Sequence, residues 1–373
     1  MKRLTLVIAL LLAGVAKPPV TISMPMSISP VPFPYGHTTV NPYVVADGNG
    51  FDLSWVDGRT LEFAHFDGVK WSRWTRIAHG EMLENRADYP SIAASGRNIF
   101  AQWREKAGKG RRIRLSRSND GGETWSKPVT PHPVMDREFG FVSMLPLADG
   151  TARIAWLDGR EKETELRAAT MSTSGTLSAE AVVDARVCDC CQTAMAMTPH
   201  GAVVVYRDRS ADEMRDIAIA PPVANAHSAL VHRDQWNLKG CPVNGPRIVA
   251  NGARAAVAWY TAANGKPEVL VAFSHDGGAT FAAPTRVDAG HPAGRVDIVL
   301  LGDGSAVATW VENTSQIVAR RITESGVLDP VQTVGASKAA IGFPRIAFSN
   351  ETILAAWNGD DGVHLAIIKP RIR

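Results

Sequence analysis

Apolar residues along this chain alternate with polar ones or gather in short runs bounded by Gly, Asn and Asp, which is the pattern of strands. No amphipathic helix longer than two turns is evident beyond the first residues. One alternating segment ending in an aromatic recurs: FDLSWVDG (51–58), NIFAQWRE (98–105), ARIAWLDG (152–159), VVVYRDRS (203–210), AAVAWYTA (255–262), SAVATWVE (305–312) and TILAAWNG (352–359). The aromatics are Trp55, Trp103, Trp156, Tyr206, Trp259, Trp310 and Trp357, with neighbours 47 to 53 residues apart.

Each copy is preceded by a strand and a Gly or Asn turn, as in NPYVVADGNG (41–50) or RVDIVLLGDG (295–304), and followed by a third strand such as EVLVAFSH (268–275). Four-stranded units repeated at this period predict an all-β fold, a β-propeller of seven blades, with six as the alternative. The last copy ends after its third strand, GVHLAIIKP (362–370), so the N-terminal TISMPMSIS (21–29) is expected to close the last blade and remove the free sheet edges. The seven aromatics are expected to pack between blades.

The chain opens with Lys2 and Arg3 before the apolar run LTLVIALLLAGVA, the layout of a secretory signal peptide cleaved near Ala16. That run is too short to span a bilayer, and no second one follows. The expectation is residues 1–16 as signal peptide, 17–373 as one propeller domain, and a soluble periplasmic or secreted product with no membrane span. Forty Lys and Arg against 37 Asp and Glu give a net charge of +3 without a long basic run. Nucleic acid is therefore not an expected partner.

Two turns between third and fourth strands, SRSNDGGETWSKP (116–128) and AFSHDGGATFAAP (272–284), share the pattern Ser-x-Asp-Gly-Gly-x-Thr-aromatic. Glycines supply positive φ there, and the Asp carboxylate accepts from turn amides. The motif resembles the Asp-box (BNR) repeat of sialidase-like propellers, with weaker copies at AHFDGVKW (64–71), STSGTLS (172–178) and TESGVLD (323–329). The resemblance covers most of the mature chain. It implies structural roles for Asp120 and Asp276, and an active face on the opposite side of the ring.

On that opposite face fall the loops from second to third strand and from blade to blade. Two consecutive blade-to-blade loops carry all four cysteines: DARVCDCCQT (184–193) and WNLKGCPVNGP (236–246). Cys241 is thereby expected beside Cys188, Cys190 and Cys191. Three readings of the cluster stay open. For an exported chain the plain one is two disulfides, least strained as Cys188–Cys191 with Cys190–Cys241. The second is a soft-metal site for Cu(I) or Zn, helped by Met195, Met197 and His37 or His291. The third is a thiol redox centre.

Sialidases bind the substrate carboxylate through arginines and use an Asp as acid/base, and the resemblance raises the same question here. The face is rich in arginine: Arg59, Arg86, Arg104, Arg137, Arg160, Arg207, Arg209, Arg215 and Arg295. The densest set, YRDRSADEMRD (206–216), offers Arg207 and Arg209, with Arg295, for a carboxylate, and Asp208 or Asp216 as acid/base. Its alternative role is an interblade salt-bridge network. The chain departs from the family in lacking a Tyr/Phe-Arg-Ile-Pro segment near the first blade; FPRIAF (343–348) is a poor substitute.

Three functions follow as expectations. The first is a non-catalytic propeller binding a small molecule, glycan or soft metal. The others are a sialidase-type exo-glycoside hydrolase acting on acidic sugars, and a scaffold for protein partners.

Overall fold

A computed structural model describes residues 26–36, 38–82, 87–338 and 342–370. Seven antiparallel sheets succeed one another as the blades of a seven-blade β-propeller. From axis to rim, blade 1 comprises Thr39–Ala46, Phe51–Asp57, Thr60–Phe66 and Thr75–His79. Blade 2 has Ser91–Ser95, Asn98–Ala107 and Gly110–Ser118, its fourth strand reduced to a bridge between Leu115 and Val129. Blade 3 comprises Phe139–Pro146, Ala152–Asp158, Glu165–Met171 and Ala181–Asp184, and blade 4 Ala194–Thr198, Gly201–Arg207, Ile217–Ala220 and Ala229–His232. Blade 5 runs Arg247–Asn251, Arg254–Thr261, Glu268–Ser274 and Thr285–Arg286, and blade 6 Pro292–Leu300, Ala306–Glu312, Gln316–Ile322 and Gln332–Ala336. Blade 7 takes Arg345–Ser349, Thr352–Asn358 and Val363–Lys369 from the C-terminus and Ser27–Val31 from the N-terminus.

The ring closes as the truncated last repeat requires, although the closing strand starts later than residue 21. It pairs Ser27 with Lys369 through Val31 with Leu365. Just before it, the Met26 backbone bonds the Gln332 amide side chain in both directions, at 2.6 and 2.8 Å. The segment 1–25, including the expected signal peptide, lies outside the described residues, as do His37 and Arg86. Among the described residues, no helix is long and apolar enough to cross a membrane.

Each pair of neighbouring blades encloses its own apolar cluster, so the core is seven wedges around an axis. The repeated aromatics lie in these wedges: Trp55, Trp156, Trp259 and Trp310 are fully buried, and Trp103 and Tyr206 are 1% exposed. A buried indole N–H needs an acceptor. Trp103, Trp156 and Trp310 find one two residues on, in the side chains of Glu105 (3.0 Å), Asp158 (2.9 Å) and Glu312 (2.6 Å). Two residues along a strand return to the same face, which explains why the anchor is so often Trp-x-acid.

The Asp turns are built as their residue types require. Asp120 accepts from the Thr124 amide (2.9 Å) and hydroxyl and from Ser118 Oγ (2.6 Å), and these bonds hold its carboxyl down at about 2. Asp276 repeats the arrangement with Thr280 and Ser274. Two of the weaker copies, at 172–178 and 323–329, retain one element. Ser172 Oγ and Thr323 Oγ1 accept from the amide four residues on, as Ser118 and Ser274 do. At Gly122, φ is +88° and a Cβ would lie 2.2 Å from the Phe63 ring, so only glycine fits.

Candidate functional site

In these antiparallel blades the Asp turns occupy one end of the ring, and the second-to-third and blade-to-blade loops occupy the other. A cleft of about 380 Å³ opens at that loop end, over blades 2 and 3. Four of the loops expected on the functional face line it. Arg104 and Lys109 come from blade 2, Arg137 and Glu138 from the next connection, Lys162 from blade 3, and Asp189 from the cysteine-bearing loop. The half-buried Phe141 adds apolar surface, while Phe139 is 2% exposed and stacks on His132. Cations and carboxylates alternate around the rim, so the cleft offers donors and acceptors without strong net charge. Its size and mixed lining suit a small polar ligand.

The wall carrying Asp189 is pinned by the cysteines. Cys188 is joined to Cys191, and Cys190 to Cys241 across 51 residues. This is the pairing expected as the least strained, and it rests on the topology that brings the two loops together. Cys188 and Cys191 are buried, whereas Cys241 is exposed. The sulfurs of Cys188 and Cys190 approach to 3.8 Å. Joined sulfurs offer no thiolate, so a soft metal would have to compete with the disulfides for the same four atoms. Met195 packs in the wedge between blades 3 and 4, and Met197 is exposed on the inner strand. His291 is not among the ligand-type side chains grouped with the sulfurs.

The charged stretch after Tyr206 sits directly behind this wall. The Cys188 amide donates to the Arg207 carbonyl (3.0 Å), and Val187 bridges to Asp208. Arg207 is 1% exposed and gives all three guanidinium nitrogens to backbone carbonyls: Asn244 (2.9 Å), Arg215 (2.6 Å) and Tyr260 (2.6 Å). It also stacks on Trp236 at 4.9 Å. Its geometry is that of a brace between blades 4 and 5. Arg209 pairs with Glu213 (2.9 Å) and Glu163 (3.4 Å), Arg186 with Glu213 (3.2 Å), and Arg215 with Glu213 (2.8 Å). The pairs with Glu163 and Arg186 tie this loop to blade 3 and to the connection before blade 4, in the manner of the interblade network expected as the alternative role. The Arg209 and Arg215 pairs with Glu213 stay within the loop. Arg295 donates its amide to Asn244 Oδ1 (2.7 Å) and lies over Phe343.

None of Asp208, Asp216, Arg207, Arg209 and Arg295 lines the cleft. Asp216 accepts from the Trp236 amide, and burial raises its carboxyl. Burial, reinforced by Asp184 and Asp216, pushes the Asp208 carboxyl up to about 6. A carboxyl raised on folding contributes stability that is lost as pH rises through the folded value. Melting of the protein should therefore include a component that falls between about pH 4 and 6, and Asp208→Asn should lack it. The midpoint of the variant minus that of the wild type is expected to grow across this window; a constant difference would remove Asp208 as the source.

Nearer the axis, the inner strands build two stacked rings. Tyr43, Ser91, Ser143, Ala194, Arg247, Asp297 and Arg345 each pair with the residue just before the blade's aromatic anchor, so they share one level. Two residues earlier, closer to the loop face, stand Tyr89, Phe141, Gln192, Gly245 and Phe343 among others. Gln192, one residue past Cys191, donates to the Ala87 carbonyl (2.6 Å) and accepts from the Gly245 amide (2.9 Å). It thus links the connections of blades 2, 4 and 5. A Cβ on Gly245 would fall 2.0 Å from the Gln192 carbonyl oxygen, which requires glycine there. Asp88 pairs with Arg104 (2.8 Å) and accepts from the Phe141 amide (2.9 Å), joining this hub to the cleft floor.

No family model matches the chain, and neither does any curated protein. Solved structures do. The BP39L lectin from Burkholderia pseudomallei aligns over 90% of this chain and 98% of its own, with 11% identity and a TM-score of 0.66. A polysaccharide lyase, an ulvan lyase bound to -[GlcA(1-4)Rha3S]-, aligns over 90% and 95%, with 10% identity and a TM-score of 0.58. AofleA from Arthrobotrys oligospora aligns over 83% and 90%, with 7% identity and a TM-score of 0.54. At these identities the likeness is one of fold.

Proposed function

We propose that this protein is an exported, sialidase-like Asp-box propeller, a single domain following a cleaved signal peptide, that binds a glycan without chemically altering it. The observation carrying this reading is the cleft over blades 2 and 3, about 380 Å³ in volume. Its charged rim of both signs offers hydroxyl-binding donors and acceptors, and the half-buried Phe141 adds apolar surface. Structural neighbours that are a lectin and a polysaccharide lyase bound to a saccharide support a glycan as the ligand class. The cysteine cluster then serves to hold the Asp189 wall, and soft-metal binding is the reading for its reduced form.

The alternative reading, a hydrolase of acidic sugars, draws on Asp208, whose carboxyl is raised to about 6 beside Arg209. Glycan-array screening followed by calorimetric titration of the best hit tests both. Binding is expected, and Arg137→Ala, an exposed rim change, should weaken it on the order of tenfold. Absence of any glycan hit overturns the proposal. Turnover of a fluorogenic sialoside, lost in Asp208→Asn, would establish the hydrolase instead.

A further inference from the structure

At the axis two guanidinium groups share one carboxylate. Arg247 Nε is 2.9 Å from Asp297 Oδ1, and Arg345 Nη1 is 3.7 Å from Asp297 Oδ2. The second contact is too long for a hydrogen bond. Arg345 is only 3% exposed, and its Nε and Nη1 have no hydrogen-bond partner. The rings of Tyr43, Tyr89 and Phe343 surround its guanidinium at 5.3 to 5.6 Å. The other acid nearby, Asp88, is already matched by Arg104. The hub therefore carries one buried positive charge more than it has carboxylates to offset, an arrangement that costs several kcal/mol unless an anion joins it.

Arg345, Arg247 and Tyr89 line a cavity of about 30 Å³ at this point. Tyr89 is 7% exposed, its hydroxyl has no partner, and burial pushes its pKa up, so it remains a donor. Ser91 Oγ, also lining the cavity, accepts from Gln102 Nε2 at 2.9 Å and keeps its own O–H to give. The inner space is that of about one water-sized body and opens on one side. A halide fits inside it, whereas a carboxylate or phosphate would protrude through the opening. A water would satisfy Gln102 Oε1, the unpartnered acceptor on the same wall, but would leave the charge uncompensated.

We infer that the propeller axis holds a structural halide site, with one chloride-sized anion bound by the free N–H groups of Arg345 and the hydroxyls of Tyr89 and Ser91. The site ties blades 2 and 7 together at the level where the inner strands converge. It adjoins the glycan cleft through Phe141, which lines both, while Arg345, Tyr89 and Ser91 line the axial cavity and not the cleft.

Crystals of the full chain grown in bromide and measured at the bromine absorption edge should show one anomalous peak within about 3.5 Å of the Arg345 guanidinium. In solution, the melting midpoint in 100 mM chloride should exceed that in gluconate of equal ionic strength on the order of 2–4 °C, because only the folded state binds the ion. Arg345→Met should abolish the difference. Tyr89→Phe keeps the ring against Arg345 and should reduce the difference while the protein remains folded. Equal midpoints in chloride and gluconate, or density at the site with no bromine signal, would overturn the inference.

Discussion

Cys241→Ser is expected to destabilise the folded protein by about 4 kcal/mol under non-reducing conditions. The Cys190–Cys241 bond closes a loop of 51 residues that contains all of blade 4. Opening it gives the unfolded chain back the conformational freedom that the bond removes, and that freedom grows with the logarithm of loop length. The Cys188–Cys191 bond closes a separation of only 3 residues, so the same argument gives it about 2 kcal/mol. Denaturant unfolding of wild type, Cys241→Ser and reduced wild type measures the ordering. Equal stability of wild type and Cys241→Ser would mean that the sulfurs are not paired this way. Thiol titration with metal analysis would then decide, since four free thiols with one bound soft metal is the rival state.

Trp156→Ala is expected to cost about 3–5 kcal/mol, the range for emptying a buried aromatic site. Trp156 is fully buried in the wedge between blades 2 and 3, directly beneath the cleft. Its indole N–H also holds Asp158, itself fully buried and paired with Arg160 at 2.6 Å. Trp156→Phe keeps most of the volume and removes that bond, so about 1–2 kcal/mol is expected. Trp357 provides the control, because its indole nitrogen has no hydrogen-bond partner. Trp357→Phe should therefore cost less than Trp156→Phe; the reverse order in chemical denaturation would show that ring volume outweighs the hydrogen bond.

The blade count was legible because a propeller repeats one packing problem. Each wedge needs one large ring at the same strand position, and seven such rings recur at nearly constant spacing. Cysteine proximity was legible for a related reason: connection order alone places the loops of Cys190 and Cys241 next to each other. The roles of individual charged side chains were harder to read. Arg207 stands in the most charged stretch of the chain, yet its donors all face backbone carbonyls. Residue type gives a charge, and only the fold says what meets it. Arg345 shows the same limit from the other side. Its neighbours Tyr43 and Tyr89 come from blades 1 and 2, hundreds of residues away, so no local window relates them. FPRIAF looked like a poor match to a family motif, but it supplies the arginine with unmet donors on the axis.

The strand Ser27–Val31 bears on the order in which the protein can be made. It is synthesised hundreds of residues before its partner Val363–Lys369. Their pairing, and the Met26–Gln332 bonds separated by 306 residues, close the longest loop in the fold. Contacts so distant form late and slowly. Until Val363–Lys369 is made, Ser27–Val31 has no partner, the condition in which strands capture other chains. Ring closure is therefore a late step of folding, and a factor that shields Ser27–Val31 until then should raise the yield of native protein.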